Sequence, residues 1–60
     1  MEKITIEIET TNDAFHDSPN AMEGEISRIL VNLSYAIGDG RWPEIVRDIN
    51  GNTVGKITIK

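Results

Sequence analysis

The side chains best suited to chemistry lie in one short polar segment near the N-terminus. His16 is the sole histidine, and Asp13, Asp17 and Ser18 lie close to it in sequence. Serine, histidine and aspartate form a nucleophilic triad when each is held within hydrogen-bond reach of the next. Neighbours on one short connection have no deep pocket to hold them in that geometry. We therefore interpret His16 as a polar loop residue, and we predict no catalytic residue and no enzyme.

Two acidic segments, NDAFHDS and DINGN, contain oxygen ligands of the kind that bind calcium. Neither has the alternating ligands and the terminal glutamate of an EF-hand loop. Asp48, Asn50 and Asn52 are instead typical of a turn. The glycine-lysine arrangement of a phosphate-binding loop is absent, and the chain has no cysteine. The sequence predicts neither a metal nor another cofactor.

The size and charge of the chain limit its partners. A domain of 60 residues without cysteine buries only about 60% of its unfolded surface, and oligomerisation is a common remedy, so we expect a homodimer. Its net charge of −4 argues against nucleic acid as the partner. No apolar run reaches the roughly 20 residues of a membrane span, and the start Met1-Glu2 does not resemble a signal peptide. We expect a cytoplasmic protein that does not enter membranes.

The longest periodic segment, Ser18 to Gly38, predicts a helix. Its apolar residues recur at the spacing that collects side chains on one helical face. They are Met22, Ile26, Ile29, Leu30, Leu33 and Ile37. We expect Ser18 to cap the first turn, Pro19 to occupy the first helical position and Gly38 to end the helix in a left-handed conformation. Leu30 lies centrally in this stripe, so Leu30→Asp is expected to unfold the domain.

Three segments alternate between apolar and polar residues, as half-buried strands do. They are Glu2 to Glu9, Glu44 to Ile49 and Asn52 to Lys60. The outward side of the first is acidic and that of the third is basic, so we place these two strands side by side and antiparallel. The residues expected to approach each other are Glu7 and Glu9 with Lys56 and Lys60.

These elements predict an α+β fold with the plan β-α-β-β. One helix packs on one face of a three-stranded antiparallel sheet, whose strand order is 1-3-2. Residues 1–60 are expected to form a single small domain.

The segment from Asp48 to Gly51 predicts a hairpin between the second and third strands. Two turns fit it: a two-residue loop at Asn50-Gly51, or a three-residue loop that ends in a glycine bulge. Aspartate at the first turn position and glycine at the fourth favour the three-residue loop. That loop places Ile45 on the helix side of the sheet, whereas the two-residue loop places Val46 there.

Several apolar residues have no clear place in the core of this fold. Val31 and Tyr35 lie off the helical stripe, Trp42 has no assigned partner, and some apolar hairpin residues face away from the helix in either register. Exposed groups of this kind are typical of protein interfaces. The candidate interface residues are Phe15, Val31, Tyr35, Trp42, Val46, Ile49 and Val54.

Two segments together resemble a group of very short phage and prophage proteins. The first is Asn12-Asp13-Ala14-Phe15, with Asp17 and Pro19 after it and then Glu25 to Leu30. The second runs from Arg47 to Gly55, and the pattern reads NDAF…RDINGNTVG. Short, acidic, cysteine-free phage proteins of this kind are similar to inhibitors of bacterial immunity, including anti-CRISPR and anti-Hachiman proteins, which bind and do not catalyse.

The resemblance implies a phage protein that binds a host defence protein and blocks it. Phe15, Tyr35 and Trp42 are the aromatic residues best suited to anchor such an interface. Two alternative functions are a phage DNA-binding or regulatory module that uses the hairpin as a β-ribbon, and a structural subunit of a phage assembly.

Overall fold

The strands and the helix follow the predicted order. The computed structural model describes residues 3–60, which form β1 (Ile4–Ile8), a 3-10 turn (Asp13–Phe15), α1 (Ala21–Gly38), β2 (Ile45–Arg47) and β3 (Thr53–Ile59). The strands make one antiparallel sheet in the order β1-β3-β2. Apolar side chains of α1 and of the sheet share one core. The predicted fold class and strand order are confirmed; Glu2, where the first predicted strand begins, lies outside the described residues.

The isoleucines of β1 and β3 share the helix side of the sheet. The facing pairs on that side are Ile4 with Ile59, Ile6 with Ile57 and Ile8 with Gly55. On the outer side Glu7 faces Lys56, as predicted. The second predicted approach is wrong, because the Glu9 amide donates to the Val54 carbonyl at one end of the sheet while Lys60 bonds Lys3 at the other.

Gly55 allows β1 and β3 to come close together. A β-carbon at this position would overlap the backbone carbonyl oxygen of Glu7 and would lie 3.1 Å from the Cα of Ile8. A side chain therefore cannot be added here without displacing β1. Gly24 differs, because a β-carbon there would meet no atom of the described chain within 4 Å apart from its chain neighbours and the backbone of its own helical turns.

The β2–β3 turn is the three-residue loop that the sequence favours. The Gly51 amide donates to the Asp48 carbonyl at 3.0 Å, and the Asp48 amide donates to the Asn52 carbonyl at 2.9 Å. Gly51 has a φ of 84°, the left-handed conformation that this loop requires. The predicted turn is confirmed.

The register expected from that turn is wrong. Arg47 faces Thr53, as the loop dictates, but the next pair is Val46 with Gly55. Val54 is thus an extra residue, which forms a bulge and shifts every later pair by one.

The bulge decides which side chains reach the core. Ile45 faces Lys56 on the outer side, where we expected it on the helix side. Val46 and Val54 are instead buried, at 2% and 3% exposure. Burying both valines is favourable by the hydrophobic effect, which offers a physical reason for the second irregularity.

The helix begins later than predicted. α1 starts at Ala21, whose amide donates to the Ser18 carbonyl at 3.1 Å in a turn that precedes the helix. Asn20 holds the cap position through its backbone, since its carbonyl accepts from Gly24 and its side chain makes no capping bond. The expected side-chain cap at Ser18 and the helical position of Pro19 are therefore wrong.

The C-terminus of α1 closes with a Schellman motif. The Gly40 amide donates to the Ile37 carbonyl, and the Arg41 amide donates to the Ala36 carbonyl. Gly40 has a φ of 81°, so it is the left-handed residue, while Gly38 is the last helical one. The predicted end point is correct, but the left-handed role belongs to Gly40.

The core lies between α1, the hairpin and the 3-10 turn. Phe15 is its most buried large side chain at 1% exposure. The buried apolar residues are Ala14, Phe15, Ile29, Leu33, Val46 and Val54, with Ile8, Ile26, Ile37 and Ile57 packed against them. Leu30 is 44% exposed, which contradicts its predicted central position.

Candidate interaction surface

A polar cluster joins the start of α1 to the β2–β3 turn. The Glu25 carboxylate accepts two hydrogen bonds from the Arg28 guanidinium, at 2.7 and 3.1 Å. It accepts a third from the backbone amide of Ile49 at 2.8 Å. Because Glu25 is only 6% exposed, these donors replace the water that its charge loses on folding.

Asp48 organises the turn in a similar way. Its Oδ1 accepts from the backbone amides of Asn50 and Asn52, at 3.0 and 2.9 Å. Its Oδ2 accepts from the side-chain amides of Asn12 and Asn52, at 3.2 and 3.4 Å. Asn12 precedes the 3-10 turn, so this one carboxylate ties the hairpin to the segment that follows β1.

Hydrogen bonds keep both carboxylates charged. The Arg28 guanidinium holds the pKa of Glu25 below its usual value, although burial opposes it, and the Ile49 amide acts in the same direction as Arg28. Burial by itself would raise the pKa of Asp48, but the bonds from Asn52, Asn12 and Asn50 outweigh it and lower the pKa. Every oxygen of the two carboxylates has a donor, so the cluster is structural.

The cluster sets the roll of α1 about its axis. Glu25, Ile29 and Leu33 are one helical turn apart and form the buried line of the helix. Successive helical residues are separated by about 100°, so Leu30 lies well to one side of that line. Residues on the other side, such as Asn32, share a surface groove with β2. Leu30 is thus turned away from β2, on the flank that faces β1.

Apolar side chains remain exposed on the helix side of the sheet and on α1 itself. Ile4, Ile6 and Leu30 are 45%, 41% and 44% exposed, and Ile59 is 38% exposed. Leu30 and Ile26 also line an apolar groove along α1. We name these residues together the β1 flank, which consists of Ile4, Ile6 and Ile59 on the sheet and of Ile26 and Leu30 on α1.

Three of the predicted interface residues lie in the core. Phe15, Val46 and Val54 are at most 3% exposed, so their side chains have no surface to offer a partner. The prediction is wrong for Val46 and Val54 because the Val54 bulge turns both inward, and wrong for Phe15 because the 3-10 turn packs it beneath α1.

The other four predicted residues are exposed. Val31, Tyr35, Trp42 and Ile49 are 47%, 69%, 42% and 66% exposed. These residues come from three separate parts of the chain. Val31 and Tyr35 lie on α1, Trp42 lies before β2 and Ile49 lies in the β2–β3 turn. Their role in an interface stays a prediction.

Sequence reasoning missed the β1 flank. The predicted strand order already placed β1 at an edge of the sheet, where a single helix covers it least. The exposure of Ile4 and Ile6 could therefore have been predicted from the strand order. No comparable signal marked Leu30, because its exposure depends on the contact between Glu25 and the Ile49 amide.

The polar segment near the N-terminus makes local contacts. The Nε2 atom of His16 lies 2.6 Å from the carbonyl oxygen of Thr10, so this nitrogen carries the proton that is donated. Within residues 3–60, no three or more metal-ligating side chains come together at one point. No helix in that same range combines the length and the hydropathy of a membrane span.

The outer face of the sheet is polar and contains all the lysines of the chain. Lys3, Lys56 and Lys60 line a shallow groove together with Thr5, Glu7 and Thr58. This face carries none of the exposed isoleucines of the β1 flank, which project from the helix side of the sheet.

The comparisons with known proteins add no relative. No family model, no curated protein and no solved structure matches the chain.

Proposed function

We propose that this chain is a small homodimeric phage protein that acts in the cytoplasm of the bacterial host, where it binds an anti-phage defence protein and blocks it without catalysis. The supporting observation is the apolar surface. Nine large apolar side chains of residues 3–60 are at least 38% exposed. Isolated exposed apolar residues are ordinary, but contiguous ones are typical of interaction sites.

The exposed residues stand on a rigid frame. The Glu25 and Asp48 clusters fix the turn that carries Ile49, and the Schellman motif fixes the segment that leads to Trp42. A preorganised surface loses little entropy on binding, which favours affinity. Trp42 and Tyr35 are the exposed aromatic residues, and residues of these types dominate the binding energy of many interfaces.

The class of target rests on the resemblance of the NDAF and RDINGNTVG segments to short phage proteins. The inhibitors that such proteins resemble act by association, which agrees with a chain whose charged clusters are structural. The contacts above support a binding surface, and the resemblance supplies the proposed partner.

A plating assay tests the target class. Bacterial strains that each carry one defence system are challenged with a sensitive phage, with and without this gene. We expect restored plaques on at least one strain, and the tagged protein should then capture a component of that system. A failure to restore plaques across a broad panel, with expression of the protein verified, would refute inhibition.

Paired variants test the surface. Trp42→Ala and Tyr35→Ala remove exposed aromatic side chains and should reduce rescue at least tenfold if these residues anchor the interface. Asn32→Ala, an exposed polar change on α1, is the matched control and should leave rescue unchanged. Equal rescue by all three variants would refute the role of the aromatic residues.

A second candidate function has one observation in its favour. The three lysines on the outer face of the sheet form a local basic site on an acidic protein. A gel-shift titration with duplex DNA would detect such binding, and a decrease with added salt would mark it as phosphate-driven. Lys56→Gln should weaken it, whereas Trp42→Ala should not.

A further inference from the structure

β1 presents an unpaired edge. The Lys3 and Glu9 amides donate to β3, at Lys60 and Val54. Amide and carbonyl groups alternate in direction along an antiparallel strand, so those of Ile4, Ile6 and Ile8 point away from β3. No strand of residues 3–60 pairs with β1 on that side. An edge of this kind is a template for another strand.

We propose that a second copy of this chain binds this edge, with the two β1 strands antiparallel and Ile6 facing Ile6 across a two-fold axis. The proposal rests on the proposed homodimer and specifies its geometry. Three facing pairs would exchange hydrogen bonds, namely Ile4 with Ile8, Ile6 with Ile6 and Ile8 with Ile4 of the second copy. The backbone amide and carbonyl groups of these residues already point outward, so the hydrogen bonds form without a change in the backbone conformation of β1.

The charges on the outer face fit this register. Thr5 faces Glu7 of the second copy, and Lys3 faces Glu9 of the second copy. Each Lys3–Glu9 pair occurs twice because of the symmetry, and opposite charges directly across an antiparallel pair are stabilising. Within one chain Lys3 instead lies beside Lys60, so the partner supplies a countercharge that the monomer does not place there.

The neighbouring registers fit less well. A shift that centres the axis on Glu7 places Glu7 against itself, which is repulsive. A shift that centres it on Thr5 leaves Ile8 without a partner among the described residues. Only the register centred on Ile6 pairs the whole of β1, Ile4–Ile8, with itself.

The apolar face also favours this arrangement. A two-fold axis perpendicular to the sheet keeps both helices on the same side, above the joined β1 strands. Ile6, which is 41% exposed, would then meet its symmetry mate, and Ile4, which is 45% exposed, would meet Ile8 of the second copy. Leu30 lies on the flank of α1 that faces β1, so both copies of Leu30 border the same apolar strip.

Cysteine scanning tests the register directly. The chain has no cysteine, so each variant carries one thiol. In the proposed dimer the Ile6→Cys variant brings two Cα atoms to about 5.5 Å, within disulfide range. The Thr5→Cys and Glu7→Cys variants leave their thiols on diagonal positions, where the Cα atoms lie about 7–8 Å apart, beyond the usual disulfide range. We expect oxidation to cross-link the Ile6→Cys variant at least tenfold faster than the other two.

A charge exchange provides an independent test. Lys3→Glu places like charges across both symmetric pairs and should weaken dimerisation about tenfold, as measured by sedimentation over a concentration series. The double variant Lys3→Glu with Glu9→Lys restores opposite charges, and its dissociation constant should return to within about twofold of the original. Equal dissociation constants for all three proteins would overturn the pairing.

The outcomes separate this inference from the proposed function. A dimer that cross-links fastest at Thr5 or Glu7, or at none of the three positions, overturns the geometry and leaves the homodimer standing. A monomer at all concentrations overturns both the geometry and the homodimer. The plating assay is read independently, so rescue by a monomeric protein would preserve inhibition alone.

Discussion

Two glycines of this chain should respond to alanine with opposite signs. Gly55 of β3 pairs with Ile8 of β1, and a β-carbon there would overlap the Glu7 carbonyl oxygen. Gly24 lies in α1 with open space around it. The comparison holds the chemical change constant, one added methyl group, and varies only the surroundings.

The magnitudes follow from these surroundings. Gly24→Ala should stabilise the domain by about 1 kcal/mol, the difference in helix propensity, and raise the melting temperature by roughly 4–8 °C. Gly55→Ala forces two backbones apart within a strand pair, and such overpacking costs about 1–3 kcal/mol or more. A domain of 60 residues has a total stability of only about 3–9 kcal/mol, so Gly55→Ala should remove a large share of it and lower the midpoint of denaturation.

The assay is denaturation followed by circular dichroism, with all proteins at one concentration because a dimer would make stability depend on concentration. A Gly55→Ala protein with an unchanged midpoint would refute the close approach of β1 and β3. A destabilised Gly24→Ala protein would mean that the helix start contacts another backbone, such as that of a second copy, and would refute the assignment of open space there.

The remaining predictions concern the core and the polar clusters. Ile29→Ala should cost about 2–4 kcal/mol of unfolding free energy in a denaturant titration of the monomer, whereas Leu30→Ala should cost about 1 kcal/mol or less, because Leu30 is 44% exposed; equal losses would contradict the roll of α1. Asp48→Ala should lower the melting temperature far more than Asp39→Ala, since the ion pair of Asp39 with Arg41 is exposed on both sides. Folding lowers the pKa of Glu25 and of Asp48, so the stability that they contribute is present above their ordinary pKa values and is lost as the pH falls through them toward the folded values. Glu25→Gln should therefore reduce the loss of stability as the pH falls below the ordinary pKa of glutamate, and Glu23→Gln, an exposed substitution on the same helix, is the matched control.

Local patterns were sufficient to predict the elements of this fold. Period-2 alternation identified β1 and β3, and the apolar period of the helix identified α1. The turn chemistry of Asp48 and Gly51 was also sufficient, because a carboxylate acceptor and a left-handed glycine act within the turn itself. Each of these signals depends on neighbours in sequence.

The predictions failed where contacts between residues distant in sequence determine the local structure. Val54 forms a bulge although nothing in its identity distinguishes it from an ordinary strand valine, since the bulge is favoured by the core that it reaches. Glu25 is buried, unlike most charged residues, because its partners are Arg28 and an amide of the distant hairpin. That one contact turns the helix and exposes Leu30.

The apolar stripe of α1 includes Leu30, although a single chain leaves Leu30 exposed. The stripe is explained if it matches the apolar surface that the helix covers in the dimer. A helix that covered only its own sheet would have no need of an exposed apolar side chain on the flank away from β2, yet Leu30 lies there and is 44% exposed. A second sheet joined at β1 would bring apolar surface to that flank, and the width of the stripe would then match the surface to be covered. On this reasoning Leu30→Asp should weaken dimerisation while the monomer stays folded, in contrast to the unfolding that the sequence alone predicted. A dimer that retained full affinity with this charge would exclude Leu30 from the interface.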